Sequence, residues 1–429
     1  MEGSSTELRI DRHKVITNIT ALFIGSAITQ FTTALALLLM ARQIGPYQYG
    51  QYASSIAMIS FASIVFSLGL DMWLLKEGGS RPYDIGNLTS SVIAIKVMIG
   101  FIWVVFFSLL APILDSDIFP MNIVRLSALT VWLNSLITSA LVSFKAILKN
   151  KISALCESTL GILWLLITLA LIGIGVDEAV TFLIARTALL VLILLISLVI
   201  FWFYFSFGPT WHTIKQTLKH SPAYATSDFL VLLFMRVDIL IVALMLGKYE
   251  AGLYSPAVGL INVLLLVPAA VYNVLLPLLS NLYSTNLSQA RRTSKRFIQL
   301  FLIIGTVISL AVYIGSDVLV FILGEAYKES QMILRILIPV IFLHSITFGV
   351  AAILITANLQ AKRAYVQVIA ILADVIFNLI LVPKIGLNGA ALAYIISEII
   401  LLLGYSWFVI NFHKTPLALK AASEREPGA

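Results

Sequence analysis

The sequence predicts an all-α polytopic membrane protein, with twelve transmembrane helices in two six-helix lobes related as parallel repeats around a central cavity. Three observations carry that prediction: an extreme composition, basic residues that alternate from loop to loop, and a turn that occurs twice. Of 429 residues, 60% are apolar and 11% charged, and the mean hydropathy is +1.00. A soluble domain carries about 25% charged residues. So few charges exclude a soluble enzyme, a nucleic-acid binder and a disordered scaffold. At about 20 apolar residues per crossing, the chain has length for about a dozen spans.

The elements follow in order. The polar N-terminus ends near Lys14 and runs into an apolar stretch too long for a signal-peptide core, without a small-residue cleavage site. It reads as an uncleaved first span. Apolar runs between breakers place the first six spans at 15–40, 51–74, 87–113, 122–146, 153–174 and 179–206, which form an N-terminal lobe over 1–206. The connection 207–222 contains Gly208 and Pro209 and divides the chain. A C-terminal lobe over 223–412 holds spans at 223–246, 252–281, 298–323, 331–357, 364–383 and 388–411. Pro268, Pro277 and Pro339 are expected to bend the long eighth and tenth spans. A bundle tolerates this because neighbours re-satisfy the freed backbone groups. The tail 413–429 reads as a disordered cytoplasmic segment.

These boundaries divide the 28 Lys and Arg residues unevenly. One face receives Arg9, Arg12, Lys14; Lys76, Arg81; Lys145, Lys149, Lys151; Lys215, Lys219; Arg291, Arg292, Lys295, Arg296; Lys362, Arg363; and Lys414, Lys420, Arg425, which is 19. The other receives Arg42, Arg125, Lys248, Lys328 and Lys384, which is 5. Cations accumulate on the cytoplasmic side, so both termini are expected there, in a multi-pass protein of the cell inner (cytoplasmic) membrane. Connections on the opposite side run about 5 to 12 residues, which leaves no room for a soluble catalytic domain. Cys156 is the one cysteine, so there is no internal disulfide, and no cofactor or metal is expected. The Arg291–Arg296 cluster suits orientation and anionic lipid headgroups.

The turn after the first span reads Ile44-Gly45-Pro46-Tyr47-Gln48-Tyr49-Gly50-Gln51-Tyr52, and the turn after the seventh reads Leu246-Gly247-Lys248-Tyr249-Glu250-Ala251-Gly252-Leu253-Tyr254. Both fit Gly-x-Tyr-x-x-Gly-x-Tyr, at an offset of 202 residues. Six spans separate the copies, so both run in the same direction. The halves are therefore parallel repeats about an axis along the membrane normal, an arrangement used by transporters that alternate access.

The first turn, with Leu37 to Arg42 before it, resembles the first hairpin of the polysaccharide (O-antigen, teichoic acid) flippases. This family lies within the multidrug/oligosaccharidyl-lipid/polysaccharide exporter superfamily. The resemblance continues in Arg236-Val-Asp238-Ile-Leu-Ile, in Phe321-Ile-Leu-Gly324-Glu-Ala-Tyr327 and in Pro383-Lys-Ile-Gly386-Leu-Asn-Gly389. It implies two six-helix lobes and export of isoprenoid-linked sugars. Relatives in the lipid II flippase branch use arginines early in the first helix. Here no cation lies between Lys14 and Arg42, so an anion-binding role must fall elsewhere.

An ionisable group deep in a span costs about 2.5–3.5 kcal/mol on insertion scales and is a functional candidate by default. Lys96, Asp374 and Glu398 lie about 15 Å into their spans at 1.5 Å per residue. Arg186, Arg236 and Asp238 lie in outer halves, and Asp228 in an inner half. Two readings are open. In the first, Lys96, Arg186 and Arg236 attract a diphosphate, with Gln30, Asn262 and Asn273 lining a polar path. Asp228, Asp238 and Asp374 then couple transport to Na+ or H+. In the second, these charges are ion pairs that hold helices in register. Asp374 and Asn378 are four apart and share a helix face. Asn262 and Asn273, eleven apart, give the eighth span a polar stripe. His344 reads as a satisfied bundle histidine and Cys156 as a packing residue.

The leading expectation is a flippase that moves an isoprenoid-diphosphate-linked oligosaccharide from the inner to the outer leaflet for cell-surface polysaccharide biosynthesis. Its partners would be the lipid-linked oligosaccharide, membrane lipids and polysaccharide assembly proteins. The alternative is a cation-coupled small-molecule exporter of the same superfamily. An enzyme joining glycans is disfavoured by the short external connections. A sugar-phosphate facilitator is disfavoured because Lys76-Glu-Gly-Gly-Ser-Arg81-Pro lacks the Gly-x-x-x-Asp-Arg pattern of that superfamily.

Overall fold

The computed structural model describes residues 12–206 and 208–414, and among them every element is helical. The α-helices are α1 (Arg12–Ala62), α2 (Ile64–Ser67), α3 (Leu70–Ser80), α4 (Ile85–Leu114), α5 (Met121–Ala146), α6 (Asn150–Gly173), α7 (Ala179–Tyr204) and α8 (Trp211–His220). They continue as α9 (Pro222–Met245), α10 (Lys248–Leu264), α11 (Leu266–Thr285), α12 (Leu287–Gly315), α13 (Asp317–Leu323), α14 (Lys328–Thr356), α15 (Gln360–Ile385) and α16 (Leu387–Lys414). Helix α16 extends through Lys414, into the expected tail. The rest of that tail, and residues 1–11, lie outside the described residues.

Ten stretches among the described residues are long and apolar enough to cross a membrane. One of them, Ile24–Ser67, is 44 residues long, about twice a single crossing. It breaks at Gly45, where φ is 73° and ψ is 169°. Pro46 follows with no N–H to satisfy and with φ already set for a helical first turn. Helix α9, where the seventh span is expected, is 24 residues long and is not among the ten. The expected eighth span is also divided, because α10 ends at Leu264 and α11 starts at Leu266. Pro268, in the first turn of α11, has no N–H to continue the preceding ladder. Pro277 and Pro339 lie inside α11 and α14, which run on past them.

The chain divides into two compact units: unit 1 is Met1–Ile44 with Met58–Phe229, and unit 2 is Gly45–Ala57 with Leu230–Ala429. Helix α8, in the expected inter-lobe connection, belongs to unit 1. Thr210 caps it by accepting from the Thr213 amide, and the Asn87 side chain of α4 donates to the Thr213 hydroxyl at 3.0 Å. Ile214 and Tyr224 pack beside Leu70, Trp73 and Leu74.

Each unit is built around one helix. In unit 1, α5 packs on α3, α4, α6 and α7; in unit 2, α14 packs on α10, α11, α12, α15 and α16. Of their most apolar windows 61% and 56% is buried, against 17–39% for the other candidate spans. Both central helices are fourth in their half. Small residues allow the close approach: Ser127, Ala128, Ser139, Ala140 and Ser143 on α5, and Ser345, Gly349, Ala351 and Ala352 on α14, are all buried. The outer helices turn Leu, Ile, Phe and Val outward, as a lipid-facing surface requires.

The two copies of the repeated turn lie against each other inside unit 2. A side chain on Gly50 would run into the Lys248 carbonyl, and one on Gly252 would run into the Pro46 carbonyl. Residues 46 and 248 are themselves equivalent at the 202-residue offset, so the contact is reciprocal. The equivalent rings of Tyr47 and Tyr249 meet at a centroid distance of 4.7 Å. Gly45 and Gly247 have φ of 73° and 114° with ψ near extended values, a backbone closed to other residues. The repeat is therefore a structural one: equal sequences adopt equal conformations and dock about a local two-fold.

Candidate functional site

Unit 1 holds an ion pair between a fully buried lysine and a partly buried aspartate. Lys96 of α4 is fully buried, and its Nζ donates to Asp71 Oδ2 at 2.7 Å and to the Ser135 carbonyl at 3.2 Å. The other carboxylate oxygen, Asp71 Oδ1, accepts from the Ser139 hydroxyl at 2.6 Å. Trp132 Nε1 donates to the Lys96 carbonyl at 2.9 Å, and its indole fills the space left by Gly100. One positive charge, one negative charge and donors from α5 thus close a satisfied network across α3, α4 and α5. Asp71 was not among the sequence candidates. The signal for it was present, since a carboxylate within the apolar run 51–74 needs a partner. Across α6 and α7, the half-buried Arg186 lies over the ring of the buried Trp164 at 5.1 Å.

Unit 2 holds a different arrangement. Asp238 of α9 is 3% exposed; its Oδ2 accepts from the fully buried Tyr254 hydroxyl at 2.9 Å and its Oδ1 from the Ile239 amide at 2.8 Å. Asp374 of α15 interacts electrostatically with Asp238 and with Glu398 of α16, and lies beside Asn378 and Ser397. Asp374 and Asn378 share one buried face, as their spacing predicts, and the Asn378 amide donates to the Asp374 carbonyl at 3.0 Å. Glu398 is fully buried, and its Oε1 lies 2.7 Å from Nδ1 of His344 on α14. Three carboxyl groups from three helices therefore converge, with one histidine at their edge.

The hydrogen bonds of this cluster are incomplete. Asp374 Oδ1, Asn378 Oδ1 and Glu398 Oε2 are buried and have no partner. A buried carboxylate oxygen without a donor is expensive, and the cost is removed by a proton or a cation. The oxygens come from carboxylate, amide and hydroxyl groups, a donor set that suits a hard cation. Among the described residues no group of three or more His, Cys, Asp and Glu side chains has the arrangement of a metal centre.

The remaining sequence candidates fall in both units. Gln30 is exposed and belongs to unit 1, while the half-buried Asn262 and the exposed Asn273 belong to unit 2. The asparagines stand on successive helices, Asn262 in α10 and Asn273 in α11, which meet at Leu265. Asp228 and Arg236 are on α9, and their side chains lie outside the described residues. Sequence reasoning separated His344 from Glu398, which only the packing of α14 on α16 brings together.

Comparison with known proteins adds identity to this geometry. The family described as polysaccharide biosynthesis protein matches residues 39–332. A capsular polysaccharide biosynthesis protein, CapF of Staphylococcus aureus, is 30% identical over 166 residues, which cover 38% of this chain and 41% of that relative. Among solved structures, the inward-facing conformation of a multidrug resistance MATE family transporter of the MOP superfamily aligns with a TM-score of 0.74 at 13% identity, covering 90% of this chain and 96% of the other. The lipid II flippase MurJ in an inward closed conformation aligns with a TM-score of 0.67 at 13% identity, covering 90% and 87%. At such identities the structures speak for the fold, and the family match speaks for descent. The chain belongs to the polysaccharide biosynthesis protein family.

Proposed function

We propose that the protein is a flippase that carries an isoprenoid-diphosphate-linked oligosaccharide from the inner to the outer leaflet of the cytoplasmic membrane, driven by a cation gradient. The family match over residues 39–332 supports the substrate class. The single observation that carries the coupling is the set of three buried oxygens without partners, on Asp374, Asn378 and Glu398. Occupation of that cluster by Na+ or H+ neutralises excess negative charge and changes how α9, α15 and α16 attract one another. Asp238 and Asp374 act as coupling groups, and Asp228 joins them on sequence grounds. In this reading Ile24–Ser67 crosses twice, α9 crosses once, and the chain has twelve spans with both termini in the cytoplasm. Lys96 is held by Asp71 and serves the bundle, which leaves Arg186 and Arg236 as the intramembrane candidates for the diphosphate.

Deletion of the gene is expected to abolish surface polysaccharide and to leave lipid-linked repeat units on the inner face. Unchanged surface polysaccharide would overturn the reading. Arg236→Ala is expected to abolish export while insertion persists, and full complementation by that variant would assign Arg236 to structure. A second reading, a cation-coupled exporter of small organic cations, draws on the acidic interior of unit 2. Uptake of such cations into inverted vesicles, with surface polysaccharide unaffected by deletion, would select it.

A further inference from the structure

The basic end of unit 2 contains a guanidinium that the coupling cluster does not explain. Arg363 stands in the first turn of α15, beside Lys362, and that turn has no acidic residue. A helix start already carries partial positive charge, so two cations there are unfavourable unless an anion joins them. Arg363 Nε is buried and has no hydrogen-bond partner. Its guanidinium contacts the Tyr405 hydroxyl of α16 and lies near Tyr272 of α11. Both tyrosines are largely enclosed, with Tyr405 only 1% exposed.

The surroundings extend the pattern. Lys362 Nζ lies over the Phe408 ring at 5.2 Å, and the tilted rings of Tyr283 and Phe412 meet at a centroid distance of 6.1 Å. Residues 405, 408 and 412 share one face of α16, and this face meets the start of α15 and the end of α11. Cations interleaved with aromatic rings are suited to a phosphate ester attached to a sugar. The planar fork of arginine grips two oxygens of a phosphate, and the rings flank an apolar sugar face.

We propose that Arg363, supported by Tyr405 and Tyr272, forms a phosphate-binding subsite at the basic end of unit 2, where it receives the diphosphate of the lipid-linked glycan. This assignment rests on the flippase reading for its ligand. The shared chemistry is a phosphate oxyanion, whose source is either the glycan carrier or a bilayer phospholipid.

The test uses the full chain in nanodiscs of neutral phosphatidylcholine, titrated calorimetrically with inorganic pyrophosphate. Wild type is expected to bind, and Arg363→Ala to bind at least about tenfold more weakly. Arg363→Lys keeps the charge and the stem, guards against misfolding, and is expected to lose about as much because the fork is gone. Lys384→Ala, at the other end of α15, serves as a charge control and is expected to bind as wild type does. Equal affinity in wild type and both Arg363 variants, with unchanged elution profiles, would overturn the subsite. So would an equal loss in Lys384→Ala. In nanodiscs containing phosphatidylglycerol, unchanged pyrophosphate affinity supports the subsite with the glycan carrier as the source; weakened affinity supports it with a phospholipid as the source. Failure of this binding with intact surface polysaccharide removes the subsite alone. Intact binding with surface polysaccharide insensitive to deletion removes the flippase reading alone.

Discussion

Both units bury charge in an apolar bundle, but they resolve it in opposite ways. In unit 1, Lys96 and Asp71 neutralise each other at 2.7 Å, and Ser139 and the Ser135 carbonyl occupy sites on both partners. In unit 2, Asp238, Asp374 and Glu398 are drawn together with a single histidine, and three buried oxygens lack donors. A balanced and satisfied pair holds three helices in one register and gains nothing from an ion. An unbalanced and unsatisfied cluster is stabilised by whatever positive charge enters it. The difference teaches that a deep charge in this fold becomes a functional candidate through its missing partners, not through its depth.

The comparison is open to attack, beginning with the largest expected effect. Lys96→Met leaves the partly buried Asp71 without its charge partner and is expected to cost about 3 kcal/mol of stability. The double variant Lys96→Met with Asp71→Leu is expected to recover most of that loss in thermal unfolding. Asp374→Asn is expected to behave oppositely, abolishing ion-driven transport while leaving cation-free stability equal or higher. If Asp374→Asn destabilised the protein as much as Lys96→Met does, the distinction between the units would fail.

Next in size are the paired turns. Gly50→Ala and Gly252→Ala each force a methyl against a facing carbonyl, and each is expected to cost about 1–3 kcal/mol. The two-fold relation makes a sharper demand, namely that both lower Tm by similar amounts. Unequal effects would mean that the contact is reciprocal in geometry but not in energy.

The smallest effects concern the cluster's own ligands. At a Na+ concentration ten times Kd, binding is expected to stabilise wild type by about 1.4 kcal/mol, and Asp374→Asn by much less. A Na+-independent Tm in both, with a pH-driven transport signal, would assign the coupling to protons. Tyr254→Phe removes one donor from Asp238 and is expected to cost about 1 kcal/mol in the absence of the cation, measured by the same melting experiment.

Much of this was legible before folding. Asp374 and Asn378 were assigned to one face because a separation of four residues returns to the same side of a helix, and both are buried there. The repeated turn was readable because Gly45 and Gly247 are demanded by the same backbone conformation. Other features had no local signature. Asp71 lies 25 residues from Lys96, and His344 lies 54 from Glu398, so neither pairing leaves a periodicity in the chain. The division of the expected eighth span into α10 and α11 at Leu265 likewise leaves no mark in composition.

By itself the sequence determined the membrane class, the order of the helices, the turn that is repeated and the family. These follow from properties carried by each segment alone, such as apolar length, glycine at strained dihedrals and charge in loops. Only the tertiary structure decided which buried charges are matched. Charge compensation depends on side chains from different helices meeting within about 3–4 Å, and that distance is set by packing around α5 and α14. It is why Lys96 meets Asp71 at 2.7 Å, while Asp374 and Glu398 each keep a buried oxygen without a hydrogen-bond partner.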